Sequence, residues 1–213
     1  MRNGPLTRLI QLDERLYRAA TARPAPLVDH LVYPLTRSAD GGVLWLAVAA
    51  MLAATGNPTA RRAAVRATAS LTVTSIGANL VVKPLFRRPR PSPVRQAWQL
   101  RPFKRPRTTS FPSGHSACAA AFAVGATAET PWATPLLGLA AAVAYSRVRT
   151  RVHYPLDVIA GLGIGTAIAL AMKSYGPISG GGDHIGTRSN ATCPSHGTSS
   201  SSPSGNEVVT PSF

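Results

Sequence analysis

The stretch P-S-G-H-S-A-C-A-A-A-F-A-V-G-A-T-A, Pro112 to Ala128, passes from a polar turn directly into an uninterrupted run of small apolar residues. Ser113 is a residue type that caps helices, and no charge interrupts the run after His115. Working outward, four more apolar blocks flank it: Val43–Thr55, Ala67–Val82, Pro135–Tyr145 and Val158–Met172. Each of the five is shorter than the ~20 residues that cross a bilayer comfortably. All are rich in Ala and Gly, which suits helices packed closely on one another rather than exposed to lipid, and Gly161 with Gly165 forms a small-xxx-small pair. The expected fold is all-α: a membrane-embedded bundle of five to six helices with an N-terminal amphipathic helix.

That N-terminal helix is read from Leu6, Leu9, Ile10, Leu12, Leu16 and Tyr17, which recur at helical spacing with Arg8, Asp13, Glu14, Arg15 and Arg18 between them. Its basic character fits a helix lying at the membrane interface. Met1 to Ala20 has no apolar core of the kind a signal peptide carries. Leu27 to Leu35 is short and Pro-bounded, either a second interfacial segment or part of a span. The domain reading is an interfacial region over residues 1–40, a membrane domain over 41–175, and a Gly/Ser/Pro-rich tail over 176–213 whose composition predicts disorder.

Charge raises a competing reading. With 23 Lys and Arg against 8 Asp and Glu, the net charge is +15, a balance that would suggest nucleic acid in a soluble protein. The apolar residues fall in blocks, however, and aromatics for base stacking make up 6%. Basic residues flanking apolar blocks fit a membrane protein, so the expected partners are the bilayer and a lipid, not nucleic acid. Cys118 and Cys193 give neither a disulfide framework nor a zinc spacing. The sequence sets no oligomeric state.

Three segments gather the chemistry: K-P-L-F-R-R-P-R-P (Lys83–Pro91), P-S-G-H (Pro112–His115) and S-R-V-R-T-R-V-H-Y-P-L-D (Ser146–Asp157). If every block crosses once, the loops after the second and fourth blocks emerge on one side, so the three segments meet. Pro112 to His115 opens a helix and can cradle an anion on free backbone amides, or simply cap the helix through Ser113. Pro155 fits the first position of the last helix, leaving His153 in the loop mouth and Asp157 in the first turn, within reach of the imidazole. Lys83, Arg90 and Arg147 are candidate phosphate ligands. Arg87, Arg88, Arg149 and Arg151 either join them or meet anionic headgroups. Of the eight carboxylates only Asp157 lies in these loops, whereas a two-metal phosphatase gathers several. The site is therefore expected to need no metal and no cofactor, with one His attacking phosphorus and the other acting as acid.

These residues resemble the type-2 phosphatidic acid phosphatase superfamily, whose signature is K-x6-R-P, P-S-G-H and S-R-x5-H-x3-D. All three parts are matched, by Lys83, Arg90 and Pro91, by Pro112 to His115, and by Ser146, Arg147, His153 and Asp157. The resemblance spans about Val43 to Met172. It implies a helical membrane bundle and metal-independent hydrolysis through a phosphohistidine. Carried over by position, His153 is the nucleophile, Asp157 its orienting partner and His115 the acid for the leaving group, while Lys83, Arg90, Ser113, Gly114 and Arg147 bind the phosphate. The implied substrate is a membrane lipid bearing a phosphate monoester or diphosphate: phosphatidate, phosphatidylglycerophosphate, a polyprenyl diphosphate or a polyprenyl sugar phosphate. A catalytically idle membrane protein binding anionic lipid or nucleic acid through its arginines is the alternative. Basic loops on the active face, among them Arg95 to Arg107, favour an integral protein of the plasma membrane whose site faces the cytoplasm.

Overall fold

The computed structural model describes residues 4–91, 109–127 and 132–174, and no strand occurs among them. The loop Arg95–Arg107 and the tail from residue 176, both subjects of expectations above, lie outside the described residues. Helix α1 (Pro5–Ala22) starts with Pro at its first turn and stops where Arg23 turns extended. Helix α2 (Pro26–Ser38) meets α3 (Val43–Ala54) at a bend of 63°. The bend is a single 3₁₀ turn, Asp40–Gly42, in which Gly41 and Gly42 take φ of 63° and 80°, a conformation that side chains rarely tolerate.

Helix α4 (Pro58–Ile76) is capped by Asn57, whose side chain accepts from the Thr59 amide at 2.8 Å. It continues through a π-helical turn, Gly77–Val82, into a last turn, Lys83–Leu85. The widening has a local cause: Pro84 has no N–H and its ring crowds the carbonyl one turn back. The Lys83 amide accordingly bonds to Ala78, five residues earlier. Helices α5 (Gly114–Ala126), α6 (Ala133–Arg149) and α7 (Pro155–Ser174) complete the bundle. All five apolar blocks are helical, and the Leu27 region is α2, the first half of a broken pair with α3.

The core is built on α5, whose Phe122, Ala119, Ala123 and Ala126 pack with Trp45 of α3, Ala67 of α4 and Val143 of α6. Small residues let the helices approach. A Cβ on Gly161 would collide with the Ser113 carbonyl, and one on Gly165 with the Ala117 carbonyl. The small-xxx-small pair thus brings α7 against α5, as the sequence suggested, and does so beside the P-S-G-H turn. The stretches Pro58–Leu85 and Pro155–Ser174 are long and apolar enough to cross a membrane, with a third span if the bent α2–α3 pair is one. Outward-facing Val73, Ile76, Leu80, Ile159 and Leu170 give these helices an apolar exterior.

Candidate active site

Backbone hydrogen bonds pin the three sequence segments to one another. The Ser110 amide donates to the Arg88 carbonyl and the Ser113 amide to the Asp157 carbonyl, each at 2.9 Å. After α6 the chain reverses at Arg151 (φ 58°), and the amides of Val152 and His153 both return to the Arg147 carbonyl, at 3.2 and 3.1 Å. This turn delivers His153 to the interior, 2% exposed.

His153 Nδ1–H donates to the Ser110 carbonyl at 2.7 Å. That leaves Nε2 as the acceptor, and the Arg90 guanidinium donates to it at 3.2 Å. Burial, aided by the charges of Arg147 and Arg90 and opposed by Asp157, pushes the imidazole pKa down to about 4. The ring is therefore neutral at pH 7, with its lone pair on Nε2.

Asp157, in the first turn of α7, is fully buried. Its Oδ2 accepts from the Ser110 hydroxyl and from the Tyr154 amide at 2.9 Å, and lies 3.7 Å from His153 Nδ1. The expected carboxylate–imidazole pairing is thus relayed: the acid holds Ser110, and the Ser110 carbonyl holds the ring.

Arg90 also donates to the carbonyls of Val152 (3.0 Å) and Thr109 (3.2 Å), which aim it at the histidine. Arg147 is 1% exposed and donates to Thr36 Oγ1 at 2.6 Å, while its Nε has no hydrogen-bond partner among the described residues. The Arg147 charge acts on both His115 and His153. Lys83 Nζ donates to Asn79 Oδ1 at 2.7 Å, and a Cβ on Gly114 would stand 3.3 Å from that ammonium. His115 Nε2 pairs with Asp40 Oδ1 at 2.8 Å. Lys83, Gly114 and His115 line a cavity of about 270 Å³ whose other walls include Trp45, Leu71 and Cys118, so the Lys83 ammonium shares it with an apolar flank.

Ser113 sits differently from a free ligand. Its Oγ accepts from the Ser116 amide at 3.4 Å and meets the Ser116 hydroxyl at 2.9 Å. The capping role accounts for this hydroxyl. The amides of Gly114 and His115, in the first turn of α5, are the ones a helix leaves without intrahelical partners.

Of the four additional arginines, three are bound inside the protein. Arg88 bridges Asp13 (2.5 Å) and Asp157 (2.7 Å). Both carboxylates raise its pKa despite burial, which acts the other way and is the largest single influence. Arg149 grips Asp29 at 2.6 and 3.0 Å and donates to the carbonyls of Ala20 and Arg23; Arg151 donates to that of Thr21. These two clamp the α1–α2 connection. Arg87 is exposed.

Sequence reading missed Ser110, Asp40, Thr36 and Asp13; Asp157 is the one carboxylate within the three segments, and Asp13 and Asp40 reach them from outside. Asp13 had a signal. It lies three or four residues from Leu9, Ile10, Leu16 and Tyr17, in the middle of the apolar stripe, where an acid needs a partner. Asp40 had none, because its contact with His115 spans 75 positions. Among the described residues no group of three or more His, Cys, Asp or Glu is arranged to hold a metal ion.

Comparison with known proteins follows this geometry. The model of the PAP2 superfamily matches residues 63–179, over half of the chain. An undecaprenyl-diphosphatase of Sulfolobus acidocaldarius is 39% identical over 95 residues, covering 38% of this chain and 46% of that protein. The match thus spans less than half the length of that relative. Among solved structures, Aquifex aeolicus LpxE aligns with a TM-score of 0.59 at 26% identity, over 77% of this chain and 96% of that one. A transmembrane PAP2-type phosphatidylglycerolphosphate phosphatase from Bacillus subtilis aligns at 0.60 with 22% identity, over 79% and 86%, a likeness of fold.

Proposed function

The chain belongs to the PAP2 superfamily and is an integral membrane protein, and from that premise we propose that it hydrolyses a phosphate monoester or diphosphate on a membrane lipid through a phosphohistidine. The observation that carries this is the buried, neutral His153, with Nδ1 engaged by Ser110 and its Nε2 lone pair beside the Arg90 guanidinium. Nε2 attacks phosphorus, the P–O bond to the lipid breaks, and the leaving oxygen takes a proton from the His115 imidazolium, which Asp40 and the arriving phosphate stabilise against burial. Water, deprotonated by the His115 imidazole so formed, then attacks phosphorus, breaking the N–P bond, releasing phosphate and restoring both imidazoles. Arg90, Arg147 and Lys83 balance the charge that builds on the phosphoryl oxygens, with the Gly114 and His115 amides at the α5 N-terminus. No step calls for a metal or cofactor.

The cavity beside His115 and Lys83 is of a kind that takes a headgroup with the start of an apolar chain. The name of the Sulfolobus relative directs attention to polyprenyl diphosphates within the lipid phosphates considered. Residues 41–175 form the phosphatase domain in this reading, and 1–40 its interfacial region. The favoured orientation is a plasma-membrane protein with the site facing the cytoplasm, resting now on Arg87 and the loop Arg95–Arg107 because Arg88, Arg149 and Arg151 are engaged internally.

Detergent-solubilised protein assayed for phosphate release on phosphatidate, phosphatidylglycerophosphate, a polyprenyl diphosphate and a polyprenyl sugar phosphate, with and without chelator, tests the proposal. Release from at least one substrate, unaffected by chelator, is the expected result. No release from any of them, or complete inhibition by chelator, would overturn it.

A further inference from the structure

Asp13 is out of place on the helix that bears it. Apart from Asp13 and Thr21, α1 has no fully buried residue, and Leu6, Leu9, Ile10, Leu12 and Leu16 are exposed, as suits a helix resting on a bilayer. Yet Asp13 itself is 1% exposed. Its Oδ2 pairs with Arg88 at 2.5 Å and its Oδ1 accepts the Leu156 amide, in the first turn of α7, at 2.8 Å. A buried carboxylate is retained only when its partners satisfy it, and these do.

The partners continue to the chemistry. The other nitrogen of the Arg88 fork holds Asp157 Oδ1, while Asp157 Oδ2 holds Ser110, whose carbonyl fixes His153 Nδ1. Arg88 also lies 4.4 Å over the Tyr154 ring, and Tyr17 of α1 packs edge-on against that ring at 5.2 Å.

We propose that Asp13 is a positioning residue for His153, so that the membrane-lying helix α1 holds the nucleophile in register through Arg88 and Asp157. This rests on the phosphohistidine reading above. One guanidinium divided between two carboxylates leaves a net negative charge beside the ring, which favours the cationic N-phosphoryl imidazole. With Asp13 neutral, Arg88 turns its whole charge on Asp157, and both the charge and the orientation of the relay degrade. Asp13 touches none of the cations assigned to phosphate, so the effect falls on turnover and leaves substrate binding alone.

The test is Asp13→Asn, which keeps an acceptor for the Leu156 amide and so leaves α1 seated. Full-length protein in lipid nanodiscs is compared with wild type and with Glu14→Gln, a neighbour on the exposed side of α1, with active sites counted by the phosphoenzyme burst. The expected result is kcat per active site lower by roughly ten- to a hundredfold, the scale seen when outer partners of a metal-bound imidazole are removed, with KM within about twofold and Glu14→Gln unchanged. A lower yield of folded protein with unchanged kcat per site would overturn the proposal, because a purely structural contact gives that result. A rise in KM matching the loss of kcat/KM would also overturn it. If wild type turns over no lipid phosphate, the phosphatase reading fails by itself, and ¹⁵N NMR of the His153 ring decides the inference separately. Wild type should show the Nδ1–H tautomer alone, and an identical spectrum in Asp13→Asn would refute the coupling.

Discussion

The carbonyl oxygen of Ser110 receives the Nδ1 proton of His153 at 2.7 Å, and this contact leaves the ring's lone pair on Nε2. A backbone carbonyl can only accept, so the ring keeps one tautomer for as long as this contact is held. Asp157, 3.7 Å from the same nitrogen, acts on the ring through its field and through its hold on Ser110.

His153→Ala should remove turnover together with any acid-labile phosphoenzyme, since it deletes the neutral Nε2 lone pair that stands beside Arg90. Quench-flow trapping with labelled substrate checks this. Substantial residual phosphoenzyme would assign the nucleophile elsewhere.

His153 also makes a pH prediction. Its pKa is about 4 in the folded protein against an ordinary 6.5, so folding favours the neutral ring. The resulting stability is complete above pH 6.5 and is lost as the pH falls through about 4. The melting temperature of wild type should therefore fall more steeply between these limits than that of His153→Ala. Parallel curves would show that the ring is not held neutral.

For His115→Ala, phosphoenzyme formation should slow by roughly 10²- to 10⁴-fold with alkyl leaving groups and by much less with an activated phenol, which needs little protonation. Asp40→Asn should show the same dependence on leaving group in weaker form, because it loosens the 2.8 Å contact that holds the imidazole. Equal losses with both kinds of leaving group would exclude the acid role.

Arg149→Ala should leave KM unchanged while destabilising the protein by about 3–5 kcal/mol, the scale for stranding one partner of a buried ion pair. Asp29 would keep an uncompensated charge, so removing it as well should recover part of the loss. A double-mutant cycle on thermal stability measures this. A selective rise in KM would instead return Arg149 to the phosphate site.

What was legible in the sequence was local. Lys83, Arg90, His115, Arg147, His153 and Asp157 could be read because short fixed spacings place them at helix ends, and the bundle brings those ends together. Arg149 and Arg151 lie in the same segment and looked like surface cations; only the packing of α1 and α2 shows that they are buried beneath them. Ser110 was illegible for another reason: it acts largely through its backbone carbonyl, which every residue has. The π turn before Lys83 could be inferred only from Pro84, and a proline announces a disturbance without saying which kind.

The placement of Asp13 also has a consequence in time. A ribosome makes α1 first, but the partners of Asp13 lie 75 and 143 positions later, at Arg88 and at the Leu156 amide. Until α7 emerges, the carboxylate has nowhere to go but water at the bilayer surface. Docking of α1 must then be among the last events of biogenesis, and the relay from Asp13 to His153 is completed only when α7 has been synthesised. A nascent chain arrested before α7 would hold Lys83, Arg90, His115 and His153 without the Asp157 that orders Ser110, so the three segments come together only in the finished bundle.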